Sequence, residues 1–147
     1  MIRIAILIGA LFLTAPSVVK AEVVIIGNTT TAPKDMSLKD VRDVFWGKKR
    51  KWDNGVPIRV FLLSSANPST LEFYSEYMGV LPSTYWATIL KQDSNETDFF
   101  LPTILPTDAA VYHAIDCTPG GIGYISNAEF NYHDTDHDMI KGVDVNH

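Results

Sequence analysis

The side chains with the most chemistry to offer cluster in four short stretches. FWGKKRKW, Phe45 to Trp52, sets four consecutive cations, Lys48 to Lys51, between Trp46 and Trp52 in a chain whose formal charge is −5. Near the C-terminus, His133 and His137 would share a face if helical, a spacing that suits a divalent metal. Asp134, Asp136 and Asp138 copy the opening of a calcium loop, but the Gly and Glu that such a loop requires are replaced by Met139 and Val145. A polar turn before a last strand, without metal, is the expectation there. TPGGIG, Thr118 to Gly123, has the glycine content of a phosphate cradle and equally the composition of a helix stop leading into a strand. Cys117 is the only cysteine, which excludes an internal disulfide and fits a small buried apolar side chain. No Gly-x-Ser-x-Gly elbow, His-Glu-x-x-His pair or Walker loop occurs. Neither catalysis nor a cofactor is therefore expected.

Composition narrows the partners. A chain of 147 residues, 46% of them hydrophobic, suffices for one core. Arg3, the apolar run Ile4 to Leu13 and Val19-Lys20-Ala21 have the three parts of a secretory signal cut after Ala21. Residues 1–21 then form the signal and 22–147 one exported, periplasmic domain. Without Arg3 and Lys20, ten basic residues face 17 acidic ones, a net charge of −7. Such a chain repels nucleic acid on average.

The elements alternate. EVVIIG, Glu22 to Gly27, is a β-branched run suited to a strand buried on both faces. Ser37 and Asp40 form a capping pair ahead of a helix with Leu38, Val41, Val44 and Phe45 inward, closed by Gly47. The cations Lys48 to Lys51 follow that helix end, where positive charge is favoured and long aliphatic stems can cover apolar surface. A turn at Trp52 to Gly55 leads into a second strand, Val56 to Leu63. Asn67 and Pro68 then open a helix that Gly79 ends. Pro82 to Gln92 reads as a helix with Trp86, Ile89 and Leu90 inward, and Asp93 to Asp98 as a polar loop. Thr107 caps a helix reaching Cys117, and Ile122 to Ser126 is a third strand. Tyr74, Tyr77, Tyr85, Trp86 and Tyr112 are numerous enough to line a pocket, although helical spacing places them in the core. The alternation predicts an α/β domain with a largely parallel sheet flanked by helices.

Two of these segments resemble the solute-binding proteins of phosphate ABC transporters, which have the type II periplasmic binding fold. SLKDVRDVFWGKKRKW, Ser37 to Trp52, is similar to that family's Ile-Phe-x-Gly-Lys segment ending in Trp. TPGGIGYIS, Thr118 to Ser126, is similar to its Pro-Gly-x-Ile-Gly-Tyr segment. The match covers roughly residues 23 to 126. The resemblance implies a single lobe, because the family's chains are about twice as long and close two lobes around a cleft.

What the resemblance implies for a site is a phosphate-like oxyanion held near Asn28, Thr29 and Thr30, near Ser64, Ser65, Asn67, Ser69 and Thr70, and near Gly120 and Gly121. The family's phosphate-binding Arg falls on Leu63, and its Ser-Gly-Thr falls on Asn67, Pro68 and Ser69. Loss of the Arg removes a bidentate, permanently charged donor. Hydroxyls and N–H groups at a helix start remain, a generic anion site. An alternative is an interaction or sensory module without a ligand. It would dock on a membrane transporter or sensor subunit through the cleft wall and the Lys48 to Lys51 loop.

Overall fold

The computed structural model describes residues 22–92, 99–133 and 140–147. The signal segment, the polar loop 93–98 and Asp134 to Asp138 of the tail lie outside them.

Five strands form the central sheet. They are β1 (Val23–Asn28), β3 (Arg59–Leu63), β4 (Thr103–Leu105), β5 (Gly121–Ser126) and β6 (Ile140–Gly142), in the order β4-β3-β5-β1-β6. β3 pairs parallel with β4 and β5, while β1 is antiparallel to β5 and β6. Four strands thus run one way and β1 alone runs against them, so the sheet is mostly parallel as predicted. A second, two-stranded sheet joins β2 (Asp35–Ser37) and β7 (Asp144–Asn146). The expected Val56 to Leu63 strand begins only at Arg59, since Val56 and Pro57 close the preceding turn, with the Trp52 N–H donating to the Val56 carbonyl.

Helices cover the sheet. α1 (Leu38–Phe45) starts where Ser37 Oγ accepts the Asp40 N–H at 3.0 Å and buries Val41, Val44 and Phe45. Its end hands over to the basic loop through Gly47, at φ +73°. There Arg50 lies 5.0 Å from the ring centre of Phe99 and Lys49 lies 5.9 Å from that of Trp52, so the cations do cover apolar surface. α2 (Pro68–Phe73) continues into one wide π turn, Tyr74–Met78, which Gly79 closes in the left-handed region at φ +65°. α3 (Pro82–Ile89) and α4 (Asp108–Asp116) follow, and α5 (Asn127–His133) comes after β5. Among the described residues no helix is long and apolar enough to cross a membrane.

The core centres on an aromatic stack. The rings of Phe73 and Tyr124 lie 3.9 Å apart and almost parallel, with Phe45, Tyr74 and Tyr85 packed around them. Two expectations change here. In α3 Ile89 is buried as expected, but its inward companion is Tyr85, whose hydroxyl donates to the Phe45 carbonyl, whereas Leu90 is 65% exposed and Trp86 half-buried. Cys117 is exposed rather than buried, because it caps α4 one residue beyond the last helical turn, whose inward member is Ile115.

Candidate functional site

The sheet register separates the residues that the sequence grouped together. Gly27 pairs with Ile122 and Arg59 with Gly121, so Asn28, Thr29, Thr30, Gly120 and Gly121 lie where β3 and β5 begin. Ser64, Ser65, Asn67, Ser69 and Thr70 follow the far end of β3. Five residues of strand separate the two groups by roughly 15 Å. One small oxyanion cannot touch both.

The Asn28 end is closed upon itself. Asn28 is 3% exposed; its Nδ2 donates to the Ile115 carbonyl at 2.9 Å, and its Oδ1 accepts both the N–H and the hydroxyl of Thr30. The Gly120 N–H donates to Thr31 Oγ1, and its carbonyl accepts from the Arg59 N–H and from Trp52 Nε1. Gly120 has φ +84°, and a side chain there would run into the Pro57 carbonyl oxygen. Gly121 donates to Thr118 as the chain turns into β5. These glycines punctuate the helix-to-strand turn.

The other end opens. Leu63, Ser64, Ser65, Thr70, Tyr74, Pro82, Ser83, Trp86 and Ile104 surround a groove of about 400 Å³. Sequence supplies its shape directly: β3 ends at Leu63, the N–H of the next residue, Ser64, still donates to the Leu105 carbonyl, and the chain turns at Asn67 into α2. Asn67 Oδ1 accepts the Ser69 N–H at 2.9 Å, the expected cap, with Pro68 at the first helical position. Ser69 is buried at 1% exposure, and Thr70 donates to the Ser64 carbonyl at 2.7 Å while accepting from the Tyr124 hydroxyl at 3.2 Å. Of the expected site residues at this end Ser65 is exposed, Ser64 and Asn67 are half-buried, and Ser69 and Thr70 are buried.

The electrostatics of this end are acidic. No lysine or arginine is among the described residues lining the groove. Asn67 Nδ2 donates to the carboxylate of Asp108 at 2.9 Å. Close by, Glu22, Glu72 and Glu76 line a further depression of about 760 Å³ with Ser75 and Asn127. Burial raises the Tyr124 hydroxyl to about 12, and hydrogen bonds to Thr70 and Leu63 offset part of that rise. An apolar depression of about 410 Å³ adjoins through Tyr74 and Pro82, with Leu71 and Leu81 exposed along it.

Asp108 and Ser83 escaped the sequence reading. Asp108 had a sufficient local explanation, since an acid in the first turn of a helix is favoured there. In the tail, His133 stacks on Tyr112 at 4.1 Å and meets Glu129 at 3.0 Å, and among the described residues no cluster suits a metal.

The mostly parallel sheet with one reversed strand, covered by helices and opening a groove beyond a strand end, is an α/β fold that matches part of periplasmic-binding-protein-like structures. Solved structures similar to it include phosphate-transport proteins. A putative phosphate ABC transporter substrate-binding protein with bound phosphate from Clostridium perfringens is 17% identical, with a TM-score of 0.59, and is matched over 84% of this chain and 44% of that one. An ABC-type phosphate transport receptor from Vibrio cholerae is 12% identical at a TM-score of 0.61, over 84% and 45%. PstS from Borrelia burgdorferi is 14% identical at 0.60, over 84% and 47%. The chain spans less than half the length of each. At these identities the likeness establishes the fold. Comparison with protein-family models finds no match, and comparison with curated proteins finds none either.

Proposed function

We propose that this chain is an exported, non-catalytic solute-binding lobe. Residues 22–147 act in the periplasm after removal of residues 1–21, together with a membrane transporter subunit. The carrying observation is the groove at the Ser64 to Thr70 junction, in a lobe whose structural neighbours are phosphate-binding proteins of ABC transporters. Phosphate is accordingly the first solute to test. Its affinity is limited on two counts: Leu63 supplies no cation, and an open face leaves the site wet, where charge-assisted hydrogen bonds are weak.

Calorimetry with phosphate, sulfate and small carboxylates, combined with light scattering, tests this. The expected phosphate dissociation constant is no tighter than roughly 10 µM for the monomer, about 7 kcal/mol. Sub-micromolar binding by a strict monomer would refute the open-face reading.

A second reading is favoured by the apolar rim. Leu71, Leu81 and Ile104 are 64%, 67% and 52% exposed beside the grooves. That is the character of a docking surface for a transporter or sensor subunit. Ser64→Ala with Ser65→Ala weakens solute binding under the first reading. Under the second, Leu71→Ser with Leu81→Ser weakens docking and the serine pair Ser64→Ala with Ser65→Ala does not.

A further inference from the structure

We propose that Asp108 sets the charge that the groove accepts and turns it away from free oxyanions, an inference that rests on the groove being a solute site. Asp108 follows the cap residue Thr107, yet its carboxylate reaches out of its own helix. One oxygen accepts from Asn67 Nδ2 at 2.9 Å and the other from the Ser126 N–H at 3.1 Å. These donors come from the cap of α2 and the last residue of β5, the kind of convergent N–H groups that hold an external anion in other folds. Here the chain's own carboxylate takes them. Asn67 cannot turn toward a solute instead, because its Oδ1 is held by the Ser69 N–H.

The carboxylate stands behind the groove wall: Asn67, which it holds, donates its N–H to the Ser64 carbonyl and accepts the Thr70 N–H on its own carbonyl, and Ser64 and Thr70 both line the groove. Tyr124 donates to Thr70 on the groove wall, and Asp108 is one of the groups that keep its proton in place, after burial. No lysine or arginine among the described lining residues offsets it, and the separate depression that holds Glu22, Glu72 and Glu76 supplies no cation either. A phosphate in the groove meets charge of its own sign and finds the nearest amide donor engaged. A solute with a neutral or cationic head meets neither obstacle. A purely structural tie between α4, α2 and β5 would depend on Asp108 for shape and hydrogen bonds rather than for its charge.

The substitution Asp108→Asn separates the two roles, since it keeps the shape and one acceptor oxygen and removes the charge. Asp108→Ser is the companion variant, and wild-type circular dichroism in either one suffices. Phosphate and sulfate are titrated by calorimetry into the wild-type chain and both variants. The expected result is phosphate binding at least about ten-fold tighter in the variant, some 1.4 kcal/mol, with sulfate moving in parallel. In the wild-type chain any measurable phosphate affinity rises as an inert salt screens the repulsion. Unchanged or weaker phosphate binding in a folded variant overturns the proposal, and so does wild-type affinity that falls with salt. Tight phosphate binding by the wild type overturns it while leaving the solute-binding reading standing. No heat with either anion in any of the three proteins removes the assignment of Asp108 as the gate, and uncharged sugars and small amines in the same cell then decide whether the groove binds solute at all.

Discussion

Asn28 and Asn67 make the same local structure with opposite consequences. Each accepts on Oδ1 the backbone N–H two residues on, from Thr30 and from Ser69, and each sends its Nδ2 across the fold. Asn28 reaches a neutral partner, the Ile115 carbonyl, and is buried at 3% exposure. Asn67 reaches a charged one, the Asp108 carboxylate, and stays half-buried beside a groove. An asparagine with a hydroxyl residue two positions on thus closes one end of the sheet and borders an opening at the other. Residue type says that hydrogen bonds can be made; the partner across the fold decides whether any capacity is left for a solute.

The largest expected effect sharpens this contrast at the groove end, where tyrosines form the wall and what lies beneath it. Burial raises Tyr77 and Tyr124 to about 12, and Tyr74 and Tyr85 higher still, above the ordinary value of 10. The folded chain therefore keeps protons that the unfolded chain releases. Stability is level below pH 10 and is lost as pH rises through 10 toward 12, at about 1.4 kcal/mol per tyrosine per pH unit. Unfolding free energies in urea at pH 8 and pH 11.5 should differ by roughly 4 kcal/mol or more, with the tyrosinate absorbance of these four side chains, read against a Tyr132→Phe background, appearing only on unfolding. Equal free energies, or tyrosinate from these four in the folded chain, would mean that these hydroxyls are open to solvent and that the groove wall is not a packed surface.

The closed end is tested by Asn28→Ala. The substitution strands the Ile115 carbonyl in a buried place and takes away the acceptor of two donors of the exposed Thr30, which hold the turn after β1. The expected loss is roughly 2–3 kcal/mol in a denaturant midpoint, the cost of leaving buried polar groups unpaired. Anion binding, by contrast, should not change. A weaker response to phosphate at unchanged stability would return Asn28 to the site.

Much of the framework was legible because its signals are local. Ser37, Asn67 and Thr107 announce three helix starts by side chains that cap within three residues, and Gly47 and Gly79 stop two helices by adopting positive φ. The reversed direction of β1 was not legible, since a β-branched run buried on both faces reads the same either way. β2, β4 and β7, three residues each, are too short to carry a period. In α3 the eight helical residues include adjacent aromatics, and which of them faces inward was settled by the Phe45 carbonyl that accepts from Tyr85. The site was legible in half. The turn at Ser64 to Thr70 followed from its residues, whereas the distance to Asn28 and Gly120 depends on strand register, and Asp108 acts across 41 positions of sequence.

The smallest effect is the most discriminating, because Asn67→Ala removes the same kind of side chain as Asn28→Ala from the open end. Its N-cap contact to Ser69 is lost, and such caps contribute about 1 kcal/mol. Asp108 loses its Asn67 donor, but it sits half-buried, so water can replace that bond while Ser126 keeps the other oxygen. The denaturant midpoint should therefore fall by roughly 1 kcal/mol, less than half the loss at Asn28. Phosphate affinity should not improve, since the carboxylate stays charged and becomes more exposed to the groove. Equal losses for the two asparagines would show that the Asn67 end is as closed as the other. A gain in phosphate binding would mean that the amide, and not the Asp108 charge, had been obstructing the groove.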